Sequence, residues 1–451
     1  MNPVYQYPEL PGISPVTRMA EMPLFWEYFI EYARLKCEQG ADLAAVQQIT
    51  RQVVDSIHQA NRALQNLPDD PDLAAREPDD YRQILLARPE APHALWQRLD
   101  TDIYADRLRG ALYGRFAGCT LGAPVEFWSV EEMRDWAAYC GQAFPPQEYW
   151  RRTKRPNELR YEVSRFDEYQ RDTLTKVPVD DDVTYPLLNL LLLEAHGPHF
   201  TVEQAGRVWQ QLLPRACTAE EVVLHDMAAG IPADQAATRD NPYRQWLGAD
   251  IRADAWGYAA PGLPQEAARM AYTDAMLTHR RNGVYGAMYF SAVLAAAFAL
   301  GDVPAALRAG LNEIPAHCLL ARDLRWALDR APHIREYAQA RREVEDYFGW
   351  MSGVHTNLNA CLTVFGLWLG DRDFGRVIGQ ITAMGYDNDC NAATAGSIFG
   401  AAYGVQAIPP VWYECFHDRV DSYLNGHPHF SIDDLCARFT RQAQRVWEER
   451  L

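Results

Sequence analysis

Three consecutive aspartates, Asp180, Asp181 and Asp182, stand directly before the apolar run Val183 to Leu193. Far downstream, Asp387 and Asp389 sit in Gly385-Tyr386-Asp387-Asn388-Asp389-Cys390-Asn391, which opens the small-residue run Ala392 to Gly404. Adjacent carboxylates repel each other and are costly to bury unless cations neutralise them. A helix N-terminus favours one such charge through its dipole and free N–H groups, and an Asp triplet there is most often a cap plus two solvated charges. Two clusters of the same layout, each leading into a very apolar helix, point instead to one shared site. Clustered hard oxygens suit Mg²⁺ or Mn²⁺ better than zinc, which prefers His and Cys. The expectation is a metal site built from two distant helix mouths.

Those mouths need helices to carry them. Helical periodicity dominates the chain and alternating strands are scarce, so the expected fold class is all-α. From about Met22 to Leu67 an amphipathic pattern reads as two helices broken near Gly40-Ala41-Asp42, and Pro68, Pro71, Pro78, Pro89 and Pro92 punctuate a linker-like stretch after them. A helical N-terminal extension over 1–100 and a main domain over 101–451 are expected. The main domain opens on a helix with Gly110, Gly114, Gly118 and Gly122 at four-residue steps. Glycine costs roughly 1 kcal/mol against alanine in a helix interior, so four on one face call for the close approach of another backbone. Gly396, Gly400 and Gly404 repeat the device after the second acidic cluster. The two helices are expected at the centre, packed tightly, which would bring Glu126 toward Asp387 and Asp389. Arg107, Arg109 and Arg115 interrupt the first run and exclude a membrane-dimer reading. Between Arg151 and Lys176 lies a polar stretch with Arg151, Arg152, Lys154, Arg155, Arg160, Arg165 and Arg171. It reads as an ordinary solvated loop, the alternative being a lid that meets phosphate.

Composition narrows the classes. With 451 residues and 48% hydrophobic content the chain can bury a sizeable core. A formal charge of −17 argues against a nucleic-acid or anionic-membrane binder, which needs a basic face. Nine cysteines without a C-x-x-C pair give neither a disulfide framework nor zinc-ribbon spacing, so reduced thiols and a cytoplasmic location are expected. Met1 to Gly12 lacks a charged region followed by an apolar run, so no signal peptide is expected. The apolar stretches Tyr289–Leu300 and Tyr185–Leu193 read as buried helices too short to span a bilayer.

Taken in order, these motifs resemble the ADP-ribosylglycohydrolase family, the group that includes dinitrogenase reductase-activating glycohydrolase. There, an early Gly-rich helix ends in G-x-x-x-E, a Thr-Asp-Asp-Thr motif comes next, and a late G-G-D-T-D-T motif completes a two-metal centre. The matching stretches are Arg109-Gly110-Ala111 through Glu126, Asp180 to Val183, and Gly385 to Cys390, within about residues 104–425. Gly248-Ala249-Asp250-Ile251-Arg252 is similar to the family's small-residue segment ending in Arg. Thr278-His279 and Asn282-Gly283-Val284-Tyr285-Gly286-Ala287 are similar to the segment lining its ADP-ribose pocket.

The resemblance implies an orthogonal multi-helix bundle that hydrolyses a ribosyl N- or O-glycosidic bond with two bound ions, Mg²⁺ or alternatively Mn²⁺. Asp180, Asp181, Asp182, Asp387, Asp389 and Cys390 are then the candidate ligands. Glu126, Asp182 and Asp387 are the candidate catalytic residues, with Glu126 as general acid/base. Arg252, with Arg280 or Arg281, would meet the diphosphate, and His279, Asn282, Gly283, Tyr285 and Asn388 would line the substrate pocket. The substrate would be an ADP-ribosylated protein or a small ribosyl compound. Departures from the motifs matter: Asp180, Val183 and Cys390 replace threonines. Val183 cannot coordinate and Cys390 is a soft, poor partner for Mg²⁺, so the second ion is expected weaker, shifted or of another kind. Two alternatives stand beside this reading: a hydrolase of another ribosyl or nucleoside-like N-glycoside, and a ligand-binding or structural member without turnover.

Overall fold

The computed structural model describes residues 4–5, 23–349 and 351–450. Its contacts divide the chain into two units, one comprising residues up to Ala75 with Glu345–Met351, the other Arg76–Val344 with Ser352–Leu451. In the first unit the Pro23–Glu38 and Leu43–Gln65 helices are separated by the expected break at Gly40-Ala41-Asp42. Asp42 caps the second of them by accepting from the Ala44 N–H, and none of that helix's residues is buried.

Residues 76–100, expected within the extension, group with the larger unit. Glu77 is buried and accepts from Asn282 Nδ2 and the Leu319 N–H, while Arg88 and His93 both pair with Glu313. Leu95 N–H bonds the Gly262 carbonyl.

The larger unit is all-α apart from two small antiparallel hairpins among the described residues, Leu159–Arg160 with Ser164–Arg165 and Val420–Leu424 with His427–Phe430. At its centre the Thr101–Gly122 helix lies antiparallel against the Asn388–Tyr403 helix. A Cβ added at Gly114 would fall inside the atoms of the Gly396 peptide, one at Gly118 inside those of Ala392, and one at Gly400 inside those of Gly110. The expected backbone-on-backbone packing is therefore realised, and the register fixes which ends meet. Gly110 faces Gly404 while Gly122 faces Asn388 and Asp389. The second acidic cluster thus sits beside the end of the glycine helix, where the short Ala123–Val125 turn delivers Glu126.

The Asn282–Leu300 helix is longer than the apolar run read from the sequence. Its length and composition would allow a membrane span, but 89% of its most apolar window is buried inside the fold, as in a core helix. The Asp181–His196 helix begins at the Asp triplet, with the Asp180 carboxylate accepting from the Asp182 N–H. Pro186 lies within that helix. It lacks the N–H that would bond the Asp182 carbonyl one turn back, and this free carbonyl becomes part of the site.

Candidate metal centre

Both acidic clusters reach one place. Ligand oxygens of Glu126, Asp387 and Asp389 lie within 4.8 Å of one another, as do those of Asp180, Asp181 and Asp182. The two groups are joined by a cation from the polar stretch. Arg160 Nε meets Asp180 Oδ2 at 2.6 Å, Nη1 meets Glu126 Oε2 at 2.7 Å, and Nη2 meets Asp389 Oδ2 at 2.8 Å. The solvated-loop expectation is therefore wrong for Arg160, whose side chain is only 10% exposed. It holds for Arg155 and Arg165, which are at least half exposed.

A second arginine supports the floor. Arg115, fully buried on the glycine helix, donates from Nε to the Asp182 carbonyl freed by Pro186, at 2.7 Å. Its Nη2 also reaches Asp182 Oδ1 at 3.0 Å and the Ile251 carbonyl at 2.7 Å, and Nη1 pairs with Asp254 at 2.9 Å. Asp182 is thus oriented from behind. The sequence held a signal for this: Arg115 is the one charged residue in the stretch Gly110 to Gly122, and a charge among glycine, alanine and apolar residues needs a buried counter-charge. No comparable local signal distinguished Arg160 from its neighbours.

The six clustered carboxylates share the site with two guanidiniums, one of which also pairs with Asp254, so carboxylates outnumber the protein's cations here. Burial, with Asp389 and Glu126 next, pushes Asp387 well above the usual carboxylate range. Asp389 and Asp182 are also raised, again chiefly by burial, with Arg160 and Arg115 respectively opposing it. Asp180 is pushed up to about 7 by burial, against the pull of Arg160. Asp389 Oδ1 is buried and meets no protein donor. All-oxygen donors, excess negative charge and that unmatched oxygen fit a hard divalent cation. Cys390 does not join either ligand group, and burial and the charges of Asp182 and Asp387 raise its thiol far above its ordinary pKa. A protonated thiol is no ligand for Mg²⁺.

These shifts set a pH dependence. A carboxyl whose folded pKa exceeds its unfolded value of about 4 contributes stability that is full below about pH 4 and lost as pH rises through the folded value. For Asp180 that window runs from the unfolded value up to about 7. The metal-free protein should therefore lose heat stability over this window, and Mn²⁺ should restore more of it at higher pH, because only ionised oxygens ligate. Melting curves at stepped pH with chelator and with Mn²⁺ check this; an increment that shrinks as pH rises contradicts it.

The expected substrate residues are placed differently. All five N–H groups of Arg252 are engaged inside the protein, by Glu220, Gly248, Asp274 and Thr278. Its assignment to a diphosphate is corrected accordingly: it is a buried structural cation. Arg280 donates to the carbonyls of Met276, His279 and Asp234, and the Arg281 N–H to Asp79. His279 is fully buried with Nδ1 on Thr278 Oγ1, and burial holds its imidazole far below its usual pKa. Asn282 bonds Glu77, Gln245 and the Leu320 N–H, and Tyr285 donates to the Pro78 carbonyl. Gly283 lets the backbone approach Arg244 and His279, since a Cβ there would sit 2.6 Å from the Arg244 carbonyl oxygen. Asn388 donates to the carbonyls of Val125 and Thr382, pinning the Glu126 turn to the second acidic loop.

The fold and site define a helical protein with an oxygen-ligand centre held between helix mouths. Residues 100–448 match the family model for ADP-ribosylglycohydrolase, and the chain belongs to that family of glycosidic hydrolases. A solved ADP-ribosylglycohydrolase-related protein complex is similar at 20% identity and a TM-score of 0.46, over 76% of this chain and 99% of that one. No curated protein matches the chain.

Proposed function

We propose that this protein is a metal-dependent glycosidase that removes ADP-ribose from a modified acceptor, a protein or a small molecule, by cleaving a ribosyl N- or O-glycosidic bond. The observation that carries the reading is the convergence of Glu126, Asp387 and Asp389 beside the Asp180–Asp182 cap, with more carboxylates than protein cations. A divalent ion, Mg²⁺ with Mn²⁺ as a substitute, would supply charge stabilisation and activate the attacking water. Asp181, Asp182, Asp387 and Asp389 would hold it. Asp182 is fixed for this by Arg115 and by the freed carbonyl. Glu126 keeps a quarter of its side chain exposed, more than Asp180 or Asp389, so its carboxylate is placed to exchange a proton with an entering substrate. Nine free cysteines support a reducing compartment, in keeping with the cytoplasm.

The test is mass-spectrometric detection of ADP-ribose released from Arg-linked and Ser-linked ADP-ribosyl peptides, with Mg²⁺, with Mn²⁺ and with chelator. Release that needs the metal supports the proposal and identifies the linkage. Absence of release from folded, metal-loaded protein rejects ADP-ribosyl peptides as substrates and moves the reading to another ribosyl glycoside.

A further inference from the structure

Arg160 is held where a metal ion would compete with it. Its three nitrogens each meet one oxygen, from Asp180, Glu126 and Asp389, which come from three separate elements. The side chain reaches there from a hairpin built to deliver it. Val163 N–H closes a turn on the Arg160 carbonyl at 3.1 Å, and the two central residues, Tyr161 and Glu162, have φ of 52° and 57°. Side-chain-bearing residues pay of order 1–2 kcal/mol for that left-handed region, so contacts elsewhere must hold the turn. Tyr161 stacks on Tyr423 with ring centroids 5.1 Å apart, and Glu162 pairs with Arg215 at 2.5 Å. The Arg160 guanidinium lies over the Tyr161 ring at 5.2 Å. A strained turn pinned on both sides places a fixed positive charge among the carboxylates.

We propose that Arg160 takes the place of one cation in the centre, so that the protein binds a single divalent ion. The inference rests on the reading of this site as a divalent-ion centre. Mg²⁺ needs near-octahedral oxygen ligation, and the oxygens facing Arg160 already accept a charge-assisted hydrogen bond that an ion there would have to displace. Asp181 and Asp182 in one ligand group, and Asp387 and the unmatched Asp389 Oδ1 in the other, are not among the partners of Arg160 and are the oxygens left for the ion. An arginine is suited to the place because its planar fork donates in several directions at once and stays charged when buried.

The test counts bound Mn²⁺ by native mass spectrometry on the full chain and on Arg160→Gln and Arg160→Lys. Wild type and Arg160→Lys are expected to hold about one ion per chain and Arg160→Gln about two. In chelator Arg160→Gln should melt below wild type, and Mn²⁺ should raise its melting temperature more than that of wild type. Equal, non-zero ion counts in wild type and Arg160→Gln overturn the proposal and leave the divalent centre standing. Failure of Arg160→Gln to fold even in excess Mn²⁺ overturns it as well, because an ion in the same place would restore the lost charge. No binding in any of the three proteins removes the divalent centre and this proposal together.

Discussion

Asp387→Asn is expected to abolish divalent-ion binding and to lower ADP-ribose release by about a thousandfold or more, the equivalent of roughly 4 kcal/mol of charge stabilisation. In chelator the same variant should be at least as heat-stable as wild type. Burial and the charges of Asp389, Glu126 and Asp182 all disfavour the ionised Asp387 side chain. It makes no capping hydrogen bond to its own helix, so amidation removes repulsion without removing a cap. Losing function while keeping or gaining stability is the behaviour of a charge retained for chemistry rather than for folding. Calorimetric Mn²⁺ titration, peptide turnover and melting in chelator read the three quantities separately. A variant that melts well below wild type in chelator would mark Asp387 as structural, and one that still binds Mn²⁺ tightly would remove it from the ligand set.

Gly114→Ala is expected to destabilise the protein by about 3 kcal/mol or more, at the upper end of overpacking effects. The obstacle is peptide backbone: the added methyl would overlap the Gly396 carbonyl, which cannot rotate away as a side chain does. Relief requires the Thr101–Gly122 and Asn388–Tyr403 helices to separate, and their far ends carry Glu126 and Asp389. Metal affinity should therefore fall with stability. Gly141→Ala is the control. Gly141 caps a helix at φ of 65° with open space around it, so alanine there meets only the backbone penalty of about 1 kcal/mol. Denaturant midpoints of the two variants decide: if Gly114→Ala matches Gly141→Ala, the helix contact is looser than the geometry shows.

The four-residue glycine spacing was legible because a repeated cost in helix propensity has one common cause, another backbone at close range. It located the central pair and the approach of Glu126 to Asp387 and Asp389, while the antiparallel register came from the structure. The substrate assignments were less legible. Arg252 and Asn282 stand in segments similar to a family's pocket, yet their donors face Glu220, Asp274 and Glu77, acids that no spacing linked to them.

The sequence by itself determined the all-α class, the two aspartate-rich helix mouths and the glycine faces, because periodicity, capping and backbone sterics act over a few residues. Only the tertiary structure decided which charges meet. Arg160 reaches Asp389 across 229 positions of sequence, and Arg115 takes up the carbonyl that Pro186 leaves free 67 positions away. Seven basic residues of one polar stretch look alike in sequence. Packing buried one of them among carboxylates, where the loss of water makes each unpaired charge costly and the choice of partner decisive.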